Sequence, residues 1–302
     1  MRTTLRGAWI GMVAVLSVIG APAIGLAQQD FSKVEVKTTK ISDNFYTVEG
    51  QGGTIGALIG PDGIFLVDSQ FAPLTEKITA AIRQLSDRPI RFLVNTHLHG
   101  DHTGGNANFA KLGVTLLARE ELRARLARPP ASGRGSAPPT EALPMVTYRG
   151  PLTLRMNNEE VRLIPVPLAH TDGDTMVRFT NADVIMTGDF YRAVGYPNID
   201  RTSGGTLKGM IEGLQMVVDA AGPATKIIPG HGPIVDKTGV AAHRAMILAL
   251  RDRVAALIKQ GKTREEVLAA KPAADYDAKV PQPGTTGERF IGQLYDELQG
   301  AK

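Results

Sequence analysis

Residues 96–102 read Thr-His-Leu-His-Gly-Asp-His, and this stretch, THLHGDH, holds three of the chain's 6 histidines beside a carboxylate. It follows the short apolar run RFLVNT, which reads as a buried strand. Along an extended backbone, alternate side chains point the same way. His97 and His99 therefore share a side and can grip one ion. Gly100 permits a tight bend, beyond which Asp101 and His102 can reach a second ion next to the first. Imidazole nitrogens with a carboxylate oxygen suit zinc, and iron and manganese are also compatible. The chain has 0 cysteines, which excludes disulfides and thiolate metal sites.

One cluster cannot complete two metal sites, and three later residues sit where strands are expected to end. His170 follows VRLIPVPLA, Asp189 follows DVIMTG, and His231 follows KIIPG. Loops at the strand ends of one sheet edge are where distant residues can converge. The candidates are then His97, His99, Asp101, His102, His170, Asp189 and His231. Asp68 ends the run IFLVD and is read as a carboxylate bonding a ligand imidazole from behind. Tyr191 and Tyr196 are read as packing residues. His243, the sixth histidine, falls inside an expected long helix and is read as solvated.

The bulk composition frames these motifs. The chain is 302 residues long, 43% hydrophobic and 21% charged, which is ordinary for a globular protein with a sizeable core. The net charge of +4 is too weak a bias, and contains no long basic run, to suggest nucleic acid as a partner. Residues 1–27 place Arg2 and Arg6 before an apolar run, breakers at Gly20 and Pro22, and a small-x-small site at Gly25-Leu26-Ala27. That is the pattern of a cleaved secretory signal peptide. It implies a periplasmic address with no stable membrane anchor after cleavage. Residues 28–302 then form one domain without internal repeats. NFYTVEG and TIGALIG are strands, and TIGALIG forms a hairpin with IFLVDSQ through the Pro61-Asp62-Gly63 turn. LTEKITAAIRQL has helical spacing. Residues 129–144, rich in Pro, Gly, Ser and Ala, read as a long loop. LTLRM, VRLIPVP, TMVRFT and DVIMTGD are strands, and LKGMIEGLQMVVDAA is a helix. Residues 240–302 are mostly helical, with capping boxes expected at Thr263-x-x-Glu266 and Thr285-x-x-Glu288. Two sheet-forming halves with attendant helices predict a layered α/β or α+β domain.

THLHGDH followed by TGG, then AHTDGD, TGD and PGHG in this order, resembles the metallo-β-lactamase superfamily over nearly the whole chain after residue 27. The resemblance implies a single-domain α+β fold, a four-layer αββα sandwich with metals at one edge. It implies two zinc ions: His97, His99 and His170 would hold the first, Asp101, His102 and His231 the second, and Asp189 would bridge them. It implies hydrolysis of a small molecule by a metal-activated hydroxide that attacks a carbonyl, with Asp101 also orienting the nucleophile. The most familiar β-lactamases carry cysteine at the Asp189 position. Aspartate there is more typical of glyoxalase II-like thioesterases, lactonases and related hydrolases. Against that, Arg192 matches a lysine that holds the β-lactam carboxylate, and Asn198 matches, more loosely, a substrate-binding asparagine. The leading expectation is β-lactam hydrolysis in the periplasm, and hence antibiotic resistance, with Asp101, Arg192 and Asn198 acting on a carboxylate-bearing substrate. The alternatives are an esterase, lactonase or thioesterase, a single-iron oxygenase, and a non-catalytic periplasmic metal-binding protein.

Overall fold

The computed structural model describes residues 30–128 and 138–300. The expected signal peptide and the first part of the 129–144 loop lie outside the described residues. The strands, in chain order, are β1 Lys37–Lys40, β2 Phe45–Glu49, β3 Ile55–Gly60, β4 Gly63–Val67, β5 Ile90–Val94, β6 Thr115–Arg119, β7 Val146–Tyr148, β8 Leu152–Met156, β9 Glu159–Pro165, β10 Thr175–Phe179, β11 Val184–Met186 and β12 Lys226–Ile228. The helices are α1 Thr75–Arg83, α2 Gly100–Thr103, α3 Asn106–Lys111, α4 Glu120–Leu126, α5 Leu207–Ala220, α6 Lys237–Lys259, α7 Arg264–Ala269, α8 Ala274–Asp277 and α9 Gly287–Gly300.

The strands form two sheets, one running β1 to β7 in order and the other running β12-β11-β10-β9-β8. Several of these strands are apolar on both faces because each sheet is covered twice. On β4, Phe65 and Val67 enter the layer between the sheets, while Ile64 and Leu66 face the outer layer with Leu74, Ile78 and Ile82 around α1. On β10, Val177 and Phe179 point between the sheets, and Met176 points outward to the layer built on α5, α6 and α9. Period-2 alternation thus sorts one continuous apolar run into two cores, and the result is the αββα sandwich. β3 and β4 pair antiparallel around Pro61-Asp62, with Gly60 opposite Gly63, as the turn chemistry predicts.

β4, β5 and β6 run parallel, so the chain leaves β4 and β5 at the same edge. β11 and β12 are also parallel, and they release Asp189 and His231 side by side. The two edges are stitched together where Thr175 N–H donates to Thr96 O at 2.9 Å. That stitch is what brings ligands from both sheets to one place.

Three expectations need correction. The helical part expected from residue 240 begins at Lys237, because the Asp236 side chain accepts from Gly239 N–H and caps the helix. The box at Thr263 and Glu266 forms, but the one at Thr285 does not. Thr285 pairs with Tyr196 as a β-bridge, and the Thr286 hydroxyl accepts the Arg289 N–H instead. His243 is half-buried rather than solvated, edge-on to Tyr191 with centroids 5.1 Å apart.

Burial pushes the His243 imidazole down to about 4. Between that value and about 6.5 the unfolded chain binds a proton that the folded chain refuses. Stability contributed by this site is therefore lost as pH falls through that window. The melting temperature of His243→Gln relative to the native protein should rise steadily from pH 7 to pH 4. A difference that stays constant with pH contradicts this.

Candidate metal centre

The site is built outward from Asp68, the residue that follows β4. It holds a left-handed backbone with φ 66, a conformation that costs a residue with a side chain about 1–3 kcal/mol. Its contacts offset that strain. Thr96 N–H donates to Asp68 Oδ1 at 2.7 Å, and Thr96 Oγ1 donates to Oδ2 at 2.8 Å. His102 Nδ1 lies 2.7 Å from the same Oδ2. The His102 carbonyl accepts from Ser69 N–H, Ser69 Oγ and Asn95 Nδ2 at 2.9, 2.9 and 3.1 Å. Asp68 thus bonds a ligand imidazole, as the sequence suggested, and also fixes the whole 96–102 turn.

Partners behind each ring set which nitrogen carries the proton. Asp68 takes the Nδ1 proton of His102. The Asn198 carbonyl can only accept, so His170 Nδ1 donates to it at 2.6 Å. His99 Nε2 donates to Asp200 Oδ2 at 2.9 Å, and the bonded His99 holds the Asp200 carboxyl well below the usual carboxylate range. The Thr96 hydroxyl, whose proton is committed to Asp68, accepts from His97 Nδ1 at 3.2 Å. His97, His99 and His170 therefore each turn a bare lone pair inward. His97 Nε2, His99 Nδ1 and His170 Nε2 converge, with 3.2 and 3.0 Å from the first and last to His99 Nδ1. Three lone pairs at this separation repel unless a cation lies among them. Ligands on a tetrahedral zinc at 2.0–2.1 Å stand about 3.3 Å apart, so the spacing fits such an ion.

A second group adjoins the first. Asp101 Oδ2 lies 3.1 Å from His231 Nε2 and 3.6 Å from His102 Nε2. Asp189 Oδ1 lies 3.4 Å from His231 Nε2 and 3.3 Å from His102 Nε2, while its Oδ2 is 3.9 Å from His170 Nε2. One carboxylate therefore presents an oxygen to each group. His102 Nε2 and Asp189 Oδ1 are buried without a hydrogen-bond partner. Buried polar atoms are rarely left so, and a cation between them removes the anomaly. Three overlapping sets are close enough to hold ions: His97, His99 and His170; His97, His102 and Asp189; and Asp101, His102 and His231.

Burial and the neighbouring imidazoles push His97 below its ordinary value, and burial takes His170 down to about 4. Burial alone would raise the Asp189 carboxyl, but His102, His97 and His231 outweigh it and keep it ionised. Burial would likewise lower His102, but Asp68 and Asp189 outweigh it and push that ring well above its ordinary value. Two carboxylates on one buried imidazole make a place for positive charge.

All seven expected ligands are thus brought together. Arg192 is beside them, its Nε 3.8 Å from Asp189 Oδ2 and without a hydrogen-bond partner. Asn198 departs from its expected role. Its side-chain oxygen accepts from Arg289 Nη2 and Gln293 Nε2 at 3.3 and 3.2 Å on α9. Its contribution to the site is its main-chain carbonyl. Tyr191 and Tyr196 are buried packing residues, and the Tyr196 hydroxyl donates to Asp277 Oδ1 at 2.7 Å. Sequence reasoning missed Asp200 and Asp174. Asp174 accepts from the His170 and Thr171 N–H groups at 2.6 and 2.9 Å and shapes the His170 turn. The AHTDGD motif contained that signal, a carboxylate four residues after a histidine. Nothing in the local pattern marks Asp200.

The description "Metallo-beta-lactamase superfamily" matches residues 50–239. The chain is 30% identical over 147 residues to the 2,4-dinitroanisole O-demethylase subunit alpha of Nocardioides sp. (strain JS1661), a stretch that is 46% of this chain and 43% of that one. It therefore spans less than half the length of that relative. Among solved structures, it is similar to a metallo-beta-lactamase from Pontibacter korlensis, with TM-score 0.59, 19% identity, and coverage of 71% of this chain and 99% of that one. It is also similar to the sec-alkylsulfatase Pisa1 from Pseudomonas sp., with TM-score 0.67, 17% identity, and coverage of 88% of this chain and about half, 51%, of the other.

The turn between β2 and β3 lies directly against the second group. A Cβ added to Gly53 would overlap the His102 ring. Gly53→Ala should therefore displace His102, and metal bound per chain after dialysis should fall while the far-ultraviolet circular dichroism is retained. Full native metal content in this variant contradicts the geometry.

Proposed function

The chain belongs to the metallo-β-lactamase superfamily, and on that premise we propose that it is a dinuclear metal-dependent hydrolase acting on a small ester, lactone or thioester. The carrying observation is Asp189, a buried carboxylate with one oxygen turned to each ligand group. Zinc ions held by these residues would supply Lewis acidity and lower the pKa of a bound water towards neutrality.

The chain's own residues account for the rest. The side chains of His99, Asp101 and His231 are 29%, 26% and 20% exposed, while His102 and His170 are fully covered. Substrate therefore enters on the side of those three residues. Asp101 stays ionised because the His231 bond and the His102 charge outweigh its partial burial. At this opening it is placed to accept a proton from the attacking water. Asp200 and the Asn198 carbonyl keep His99 and His170 in one tautomer throughout.

β-Lactam opening is the second reading, and Arg192 Nε, which has no hydrogen-bond partner, favours it. A substrate carboxylate would have to compete with Asp189 for that guanidinium. Asn198, the other expected carboxylate-binding group, is held by α9. The leader-like first 27 residues support export to a periplasm.

A panel of one aryl ester, one lactone, one glutathione thioester and nitrocefin tests the choice. We add 2,4-dinitroanisole and a secondary alkyl sulfate because the names of two similar proteins point to them. Ester, lactone or thioester turnover should exceed that of nitrocefin, be abolished by chelation, and survive Arg192→Ala within about threefold, since that arginine makes no contact with the reacting group. Faster nitrocefin turnover, with KM raised in Arg192→Ala, would favour the β-lactam reading.

A further inference from the structure

The superfamily match ends at residue 239, yet α9, at Gly287–Gly300, reaches back to the metal centre. Arg289, Gln293 and Glu297 recur every four residues, so they form one stripe along that helix. The stripe faces the 198–207 segment. Arg289 Nη2 donates to Asn198 Oδ1 at 3.3 Å, and Glu297 Oε1 accepts the Leu207 N–H at 2.6 Å. The core-facing residues Phe290, Ile291 and Leu294 are buried, so this polar stripe is held in place by packing.

Gln293 makes the most specific contact. Ile199 N–H donates to its Oε1 at 3.3 Å, and its Nε2 donates to Ile199 O at 3.1 Å and to Asn198 Oδ1 at 3.2 Å. The amide grips both main-chain groups of Ile199 as a neighbouring strand would. The residues on either side of Ile199 are the two that orient the first histidine group. The Asn198 carbonyl accepts the His170 Nδ1 proton, and Asp200 Oδ2 accepts the His99 Nε2 proton. Asp200 N–H also donates to His170 O at 3.0 Å.

We propose that Gln293 is a positioning residue for the metal ion of the first histidine group, acting through residues 198–200 on His170 and His99. This rests on the metal reading above but not on the identity of the substrate. Groups behind a metal ligand typically change metal affinity by 10–100-fold. Glu297 docks the same helix onto the same segment but contacts no residue that orients a histidine, so it serves as the control.

The experiment loads the full-length protein with cobalt(II) and combines chelator competition with proton NMR. Paramagnetically shifted imidazole N–H signals report the rings separately. In Gln293→Ala, the affinity for one of the ions should fall by about tenfold or more. The His99 and His170 N–H signals should exchange faster with solvent, while the His102 N–H signal, held by Asp68, stays unchanged. Glu297→Ala, which removes the acceptor for the Leu207 N–H, should lower the melting temperature but leave affinity and all three signals as in the native protein. If Gln293→Ala does not fold, Gln293→Glu serves. It keeps the acceptor for Ile199 N–H, lacks the amide donors, and should show the same selective change. Native affinity and exchange in the folded Gln293 variant, or the same loss in Glu297→Ala, overturns the proposal. Native protein that binds no cobalt would instead remove the metal reading itself.

Discussion

The metal centre depends first on the bond between Asp68 and His102. Asp68 is a buried carboxylate in a backbone conformation that side-chain-bearing residues avoid. It is held there because both oxygens are engaged by the turn it organises. Through Thr96 it fixes the His97 ring, and directly it fixes His102. Those two rings belong to different ligand groups, so one residue sets the spacing between them. Replacing it would leave Thr96 and His102 with buried, unpaired donors, at about 1–3 kcal/mol for each neutral group.

The second sheet supplies His170, Asp189 and His231, and the last two need few supports of their own. Asp189 and His231 leave neighbouring parallel strands at the same edge, so register alone places them together. Glycines let the backbone approach. A Cβ on Gly230 would overlap Asp189 Oδ1, and Gly188 adopts φ 56 just before the ligand. His170 and His99 instead rely on the 198–200 segment, and through it on the last helix. The second group therefore rests on the sheet edges and their turns, and the first draws in addition on the C-terminal helix.

How legible each part was depends on the distance over which its cause acts. THLHGDH announces itself because four ligands lie within one turn. His170, Asp189 and His231 were found because apolar strands of period two end just before them. Asp68 was found for the same reason. The jobs of Asn198, Asp200 and Gln293 were hidden because the contacts that define them span 28 to 101 residues of sequence. No short pattern encodes such a pairing. His243 was misread because helical periodicity says which residues share a face, but not that Tyr191 would cover this one. Strands β1, β6 and β7 and helices α3 and α4 were also missed, because short strands and short polar helices give weak periodicity.

We propose that the seven side chains gather around two cations. Metal analysis of the purified full-length protein after exhaustive dialysis tests it most directly. Two transition-metal ions per chain are expected, removed by a chelator and restored by adding zinc. Protein that retains no transition metal, and takes none up on addition of zinc, would contradict it.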